Sequence, residues 1–198
     1  LKDKEAAERS EYVKHTSRSW RKPSFVSEAH DGRTYGNALH AVMQYICFSA
    51  CEDQAGVEKE ISRLVDEGYI SAVCADLVDC KRIAAFFATE LGQKLQRGNQ
   101  VLREFKFSIL NNAEDFIPDL QNEKILMQGV IDCALIEPDG IIVVDFKSDH
   151  VTTESIAAVT EKYRLQITTY AKALERIYQL PVKEKLIYYF SLNRFAAL

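Results

Sequence analysis

Asp132 interrupts a largely apolar stretch, residues 125–136, and Asp145 and Lys147 follow directly on a wholly apolar one, residues 141–144. Strand interiors disfavour aspartate, and a buried charge needs a partner or a metal ion. Two carboxylates supply hard oxygen ligands of the kind that suit magnesium or manganese. A lysine two residues past the second acid would stand beside such an ion. There it can orient or help deprotonate an attacking water and stabilise charge on a phosphate. The residue types and their spacing therefore point to a divalent-cation site with a cationic neighbour.

The two stretches must be brought together for this to work, and the residues between them say how. Glu137-Pro138-Asp139-Gly140 is a turn with a mechanism: proline presets φ, aspartate bonds its own backbone, and glycine accepts positive φ. Facing residues of a hairpin share a face, and a shift of one residue sends every side chain to the other side. With an even loop, paired residue numbers sum to 277, which sets Asp132 opposite Asp145 with Lys147 on the same face. A regular three-residue loop would put the two acids on opposite faces, so an even loop, or a bulge restoring the parity, is expected.

The elements around the hairpin follow from periodicity. Residues 1–22 are polar and mixed in charge, an N-terminal arm or short helix holding Trp20, and residues 31–36 read as a loop. A helix begins near Asn37, with Ala38, Leu39, Val42, Met43 and Ile46 inward. His40 falls near its start, where a core, capping or ligand role is open. Further helices are expected over residues 57–67, ended by Gly68, over 72–78 capped by Ser71, and over 80–95 capped by Asp79. A strand over 101–109 carries Glu104, by itself a solvent-facing acid. Residues 111–123 read as a loop. After the hairpin, Thr152 or Thr153 can cap a helix that aligns Tyr163, Gln166, Ile167, Tyr170, Ala171, Leu174 and Ile177 on one broad face. Pro181 ends it, and a last strand over 185–192 is expected to be reached from the third strand by a right-handed crossover. The order of helices, three antiparallel strands, helix and strand describes an α/β core at residues 100–192 with a helical lobe at 36–96, together one domain.

The chain has 198 residues, 47% hydrophobic and 27% charged, enough for one soluble domain with a substantial core. It has no apolar run long enough to cross a bilayer, so no membrane role is expected. Its first residue is leucine, as expected of a fragment of a longer chain. Five cysteines, with no Cys-x-x-Cys pair, read as buried thiols of a reduced, cytoplasmic protein. A phosphate-binding Gly-x-x-x-x-Gly-Lys loop is absent. The net charge of −4 argues against a free-standing nucleic-acid binder. A nucleic-acid role would need a local basic surface or a partner that delivers the substrate.

Read together, the motifs resemble the RecB-like nucleases of the PD-(D/E)xK superfamily, most nearly the C-terminal nuclease domain of AddA-type helicase–nucleases. Gly36-x-x-x-His40 with Val42-Met43-Gln44 resembles their first nuclease motif. Gly68-Tyr69-Ile70 and Phe86-Phe87 resemble their helical stretch, and Arg103-Glu104-Phe105 their first strand. Gly129-Val130-Ile131-Asp132 and Val144-Asp145-Phe146-Lys147 resemble the core motifs, and Tyr163-x-x-Gln166-x-x-x-Tyr170 the Gln-x-x-x-Tyr helix. The likeness covers roughly residues 20–192. It implies a restriction-endonuclease-like core, a mixed central sheet flanked by helices, and a metal-dependent DNA exonuclease acting on single strands in double-strand break repair by recombination. It implies His40, Asp132, Asp145 and the Phe146 carbonyl as ligands of Mg2+ or Mn2+, and Lys147 as the catalytic lysine. It further implies Glu104 as an acid acting near the site, and Gln166, Tyr170 and Tyr163 as supporting or DNA-contacting residues. The implied partners are DNA fed by a helicase and an AddB-type protein. Such partners hold an iron–sulfur cluster with four cysteines; here none follows Cys133, so no cluster is expected.

Two other functions fit the bare residues: a DNA-binding or scaffold module whose acids hold metal for structure only, and a hydrolase of a small phosphate ester. The latter lacks a glycine-rich loop sized for phosphate.

Overall fold

Alternating apolar residues build a five-stranded sheet in the computed structural model, which describes residues 32–98, 100–115, 119 and 122–198. The arm expected over residues 1–22, including Trp20, lies outside the described residues. Helices α1 (Gly32–Tyr45), α2 (Gln54–Asp66), α3 (Ala72–Leu77), α4 (Cys80–Phe87) and α5 (Glu90–Arg97) precede strands β1 (Val101–Asn112), β2 (Lys124–Glu137) and β3 (Gly140–Lys147). Helix α6 (Ile156–Tyr178) and strands β4 (Val182–Tyr189) and β5 (Arg194–Ala197) complete the chain. The sheet order follows the sequence; β1, β2 and β3 form an antiparallel meander, β4 joins β3 in parallel, and β5 returns antiparallel along β4.

The caps expected from the sequence hold helix ends in place. Ser71 accepts from the Cys74 amide, and Asp79 from that of Lys81. The single helix expected over residues 80–95 is instead two, because Thr89 caps a new start. Its hydroxyl accepts from the Gly92 amide and donates to the Phe86 carbonyl. A Cβ at Gly92 would come within 2.2 Å of that carbonyl oxygen, so the break requires glycine there. The loop expected at residues 31–36 is also corrected, since α1 already runs from Gly32. Glycine is a weak helix former in isolation, but Gly36 brings α1 against the end of β3: a Cβ there would lie 2.8 Å from Ser148 Oγ. Helix α6 starts at Ile156, with the Ser155 amide held by Thr152. Strand β5 was not expected; a left-handed turn at Asn193 (φ 50°) returns the chain for its four residues.

Two cores lie against opposite faces of the sheet. The helical lobe packs Leu39, Val42, Ile46, Leu64, Ile83, Phe86 and Phe87 onto Cys133, Leu135, Ile142, Val144, Phe146 and Tyr188. On the other face α6 lays Ala173 and Leu174 onto Phe107, Ile131, Ala134, Ile141 and Val143, and Ile167 onto Ile187 and Tyr189. Ile177 was expected on this buried face of α6, but it is 41% exposed.

The hairpin register is the expected one: Glu137 pairs with Gly140 and Cys133 with Val144, so the loop is even and the numbers sum to 277. The ladder stops at that last pair, however, one step short of Asp132 and Asp145. The β1–β2 ladder likewise pairs Arg103 with Cys133 and Phe105 with Ile131 but skips Glu104 and Asp132 between them. Glu104 has a positive φ of 47° there. On both strands the inward parity changes across this step. Ile131 and Ala134 share the α6 core while Cys133 joins the lobe; Leu102, Phe105 and Phe107 share the α6 core while Val101 joins the lobe. The sheet is thus locally irregular at the residues whose types suggest chemistry. A non-glycine residue at positive φ costs on the order of 1 kcal/mol, and such strain clusters at functional sites.

Candidate active site

Five elements converge on this irregular step: α1, β1, β2, β3 and α6. His40 rides on α1, whose apolar residues Leu39, Val42 and Met43, with Ile46 just past its end, are buried in the lobe and fix the helix on the sheet. Gly36 lies one turn earlier on the same side of the helix, so the close approach of α1 to Ser148 also carries His40 toward the acids. His40 Nδ1 is 3.4 Å from Glu104 Oε1 and 3.6 Å from Asp132 Oδ1. Glu104 is therefore not the solvent-facing acid that its strand alone suggests. Arg103 reinforces the junction: it donates to the Ile46 carbonyl at 2.5 Å and sits 4.8 Å over the Phe48 ring, tying β1 to the end of α1.

Asp132 stands at the centre. Its Oδ2 accepts the Phe146 amide at 2.7 Å, so a side chain links β2 to β3 beyond the last ladder pair. Phe146 itself is 1% exposed and packs edge-on against Phe86, which fixes the backbone on either side of it. Asp145 is also 1% exposed, on the α6 side. Its Oδ1 accepts from Gln166 Nε2 at 3.3 Å, and the same amide donates to Tyr170 Oη at 2.8 Å. Gly129 keeps room for this arrangement, because a Cβ there would lie 2.7 Å from the Phe107 ring and 3.1 Å from the Tyr170 ring. Lys147 Nζ lies 2.5 Å from Asp145 Oδ2. The contact is a close, buried ion pair.

The electrostatics follow from burying acids close together. Burial, then the charge of Asp145, push the Asp132 carboxyl up to about 7. Burial raises Asp145 as well, against the pull of Lys147. For His40, burial works downward, but the Glu104 hydrogen bond and the charges of Asp132, Glu104 and Asp145 outweigh it, and its pKa is raised. Lys147 is also raised, as Asp145 and Asp132 overcome its own burial. The cluster thus favours protons or cations.

The donor set fits a divalent cation. Ligating atoms of His40, Glu104 and Asp132 all lie within 4.8 Å of one another. On an octahedral ion with bonds of about 2.1 Å, neighbouring ligand atoms are about 3.0 Å apart and opposite ones about 4.2 Å. The His40 distances of 3.4 and 3.6 Å fall between these limits. Asp145 Oδ2 has the Lys147 ammonium beside it and Oδ1 the Gln166 amide, so this carboxylate stands next to the three-residue group with its own partners. Of the ligands expected from the sequence, His40 and Asp132 stand together with Glu104. Asp145 instead groups with Lys147, Gln166 and Tyr170, joined to the first group through Asp132 and Phe146. Tyr163 sits beside Lys147. Arg103 and Gly36 stood in the motifs read from the sequence, but the reach of Arg103 to the Ile46 carbonyl and the contact of Gly36 with Ser148 were not foreseen. Asp149, an acid two residues past the lysine, was not singled out.

A mixed sheet flanked by helices, with paired aspartates and a lysine where two strands part, is the arrangement of a nuclease core. Residues 9–196 match the PD-(D/E)XK nuclease superfamily, and the chain belongs to it. Within that superfamily it is similar to proteins named as ATP-dependent helicase/nuclease subunits. It is 34% identical over 185 residues to the one from Bacillus cytotoxicus, 87% of this chain and 15% of the relative. Over 178 residues it is 36% identical to the one from Acetivibrio thermocellus, 86% of this chain and 14% of the relative. Over 172 residues it is 31% identical to the one from Desulforudis audaxviator, 84% of this chain and 14% of the relative. The chain thus spans only 14–15% of the length of these relatives. Among the described residues no helix is long and apolar enough to cross a membrane.

Proposed function

We propose that this chain is a metal-dependent deoxyribonuclease domain that hydrolyses phosphodiester bonds of single strands, as an exonuclease, within an AddA-type helicase–nuclease acting in double-strand break repair by recombination. The observation that carries the reading is the meeting of His40, Glu104 and Asp132 with Asp145 and Lys147 at one irregular step of the sheet. His40, Asp132, Asp145 and the Phe146 carbonyl would hold Mg2+ or Mn2+, with Glu104 as a further ligand directly or through water. When bound, the ion would supply Lewis acidity at a phosphate oxygen and a water of lowered pKa.

The protein's own groups do the rest. Glu104 and Asp132 hold His40 with a ring nitrogen toward the acids. Gln166 orients Asp145 and is itself fixed by Tyr170, so the α6 face sets the carboxylate in place. Lys147 holds the attacking water in line with the scissile bond and offsets negative charge developing on the phosphate. Gln166 and Tyr170 line the approach of the strand, and Tyr163 supports the site beside Lys147. A net charge of −4 gives the domain little general attraction for DNA, which fits a substrate threaded to it by a helicase, with an AddB-type partner beside it.

The test is incubation of the protein with single-stranded DNA and Mg2+ or Mn2+, with EDTA as control. Cleavage is expected only with metal, and Asp145→Ala and Lys147→Ala are expected to lower it at least a hundredfold, about what one transition-state contact supplies. Their circular dichroism should match the wild type. Full activity in either variant, or no cleavage with any divalent ion, would overturn the proposal.

A further inference from the structure

Lys147 touches both an acid and an aromatic ring. Its Nζ lies against Asp145 Oδ2 and also 4.3 Å over the centre of the Tyr163 ring. The Tyr163 hydroxyl donates to Asp149 Oδ2 at 3.1 Å. Asp149 is held in turn: Ser191 Oγ donates to its carbonyl at 2.7 Å, and the Val151 amide donates to Ser191 Oγ at 3.4 Å. The segment after β3 is thereby tied to the turn after β4, while α6 contributes the ring. From this arrangement we infer that Tyr163, anchored by Asp149, is a positioning residue that sets the Lys147 ammonium for the reaction.

The physical reason is the freedom of a lysine. Its ammonium is a compact charge with three donors on a flexible four-carbon stem. Beside a buried carboxylate alone it would settle into a closed ion pair, its donors turned toward that acid. The face of an aromatic ring attracts the charge from a different direction without acting as a base. Held between Asp145 and the ring, Nζ keeps a donor directed into the site. The hydroxyl bond to Asp149 stops the ring from rotating away. Tyr163 thus acts through Lys147, a role different from contact with the DNA strand.

The activity arm of this inference rests on the nuclease reading; its structural arm does not. Protein carrying lysine labelled with carbon-13 at the ε-methylene gives one signal per lysine, with Lys147 assigned by loss in Lys147→Arg. Ring current should move the Lys147 ε-protons upfield in the wild type and in Tyr163→Phe, and Tyr163→Leu should return them to the ordinary lysine position. With DNA and saturating Mn2+, Tyr163→Leu should lower kcat about tenfold, the range of a partly desolvated cation–π contact, and Tyr163→Phe by less. KM and the metal midpoint should stay unchanged, whereas a merely structural role would move them and the thermal midpoint together. If Tyr163→Leu does not fold, Asp149→Ala, which frees the ring, carries the same comparison. An unmoved Lys147 signal or an unchanged kcat in the variant overturns the inference. A wild type that cuts no DNA overturns the nuclease reading instead, and the lysine signal still decides where the ring holds Nζ.

Discussion

Replacing Asp132 by asparagine should make the metal-free protein more stable while removing its response to metal. The Asp132 carboxyl ionises near 7 in the folded protein, chiefly because burial disfavours its charge, against 3.8 when unfolded. Between those values the folded state binds more protons than the unfolded one, so stability falls as pH rises through the interval. At 1.36 kcal/mol per unit, the full penalty above pH 7 is about 4 kcal/mol. Asparagine escapes both the burial of charge and the repulsion from Asp145 but still buries a polar amide, so the single replacement should recover roughly 2 kcal/mol at pH 8 and under about 1 kcal/mol at pH 5. Asparagine keeps an oxygen to accept the Phe146 amide, so the link between β2 and β3 survives. With a urea slope of roughly 2 kcal/mol per molar, the variant's midpoint in EDTA should lie about 1 M above the wild type at pH 8. Adding Mn2+ should raise the wild-type midpoint and leave the variant where it was. A variant no more stable than wild type at pH 8, or a gap equal at both pH values, would refute the reasoning.

Two further outcomes are expected. Tyr188 is fully buried among Phe86, Phe190 and Phe195, with a hydroxyl that has no hydrogen-bond partner among the described residues; Tyr188→Phe should therefore stabilise the fold by about 1 kcal/mol in urea unfolding, and a loss of that size would mean the hydroxyl has a partner. Gly129→Ala would press a methyl into the Phe107 and Tyr170 rings, so it should cost about 1–3 kcal/mol and lower cleavage through the Tyr170–Gln166–Asp145 chain, and unchanged unfolding and kinetics would show that the rings move aside freely.

How much of this was legible in the sequence depends on the kind of interaction. The hairpin register was, because Pro138, Asp139 and Gly140 act locally and side-chain parity admits only two answers. Where the ladder ends was not, since nothing in Arg103-Glu104-Phe105 announces a positive φ; Arg103 reaching the end of α1 is a tertiary contact. Gly32 and Gly36 read as loop because glycine weakens an isolated helix, but at Gly36 packing against Ser148 rewards the missing side chain. Thr89 looked like one more helical residue until its hydroxyl bonded the Phe86 carbonyl. The identities of His40, Glu104, Asp145 and Gln166 were available from motif resemblance, whereas their division into two linked groups needed coordinates.

The centre draws on both faces of the sheet, and this has a consequence for the order in which it is made. His40 belongs to the lobe that leaves the ribosome first; Asp145, Lys147 and Gln166 follow more than a hundred residues later. At about 5–20 residues per second, that is a wait of many seconds. Through that time the nascent lobe carries His40 without the acids and lysine that complete the site. Nuclease competence would thus appear only when α6 closes the second face, and a chain stalled before that helix would be inactive.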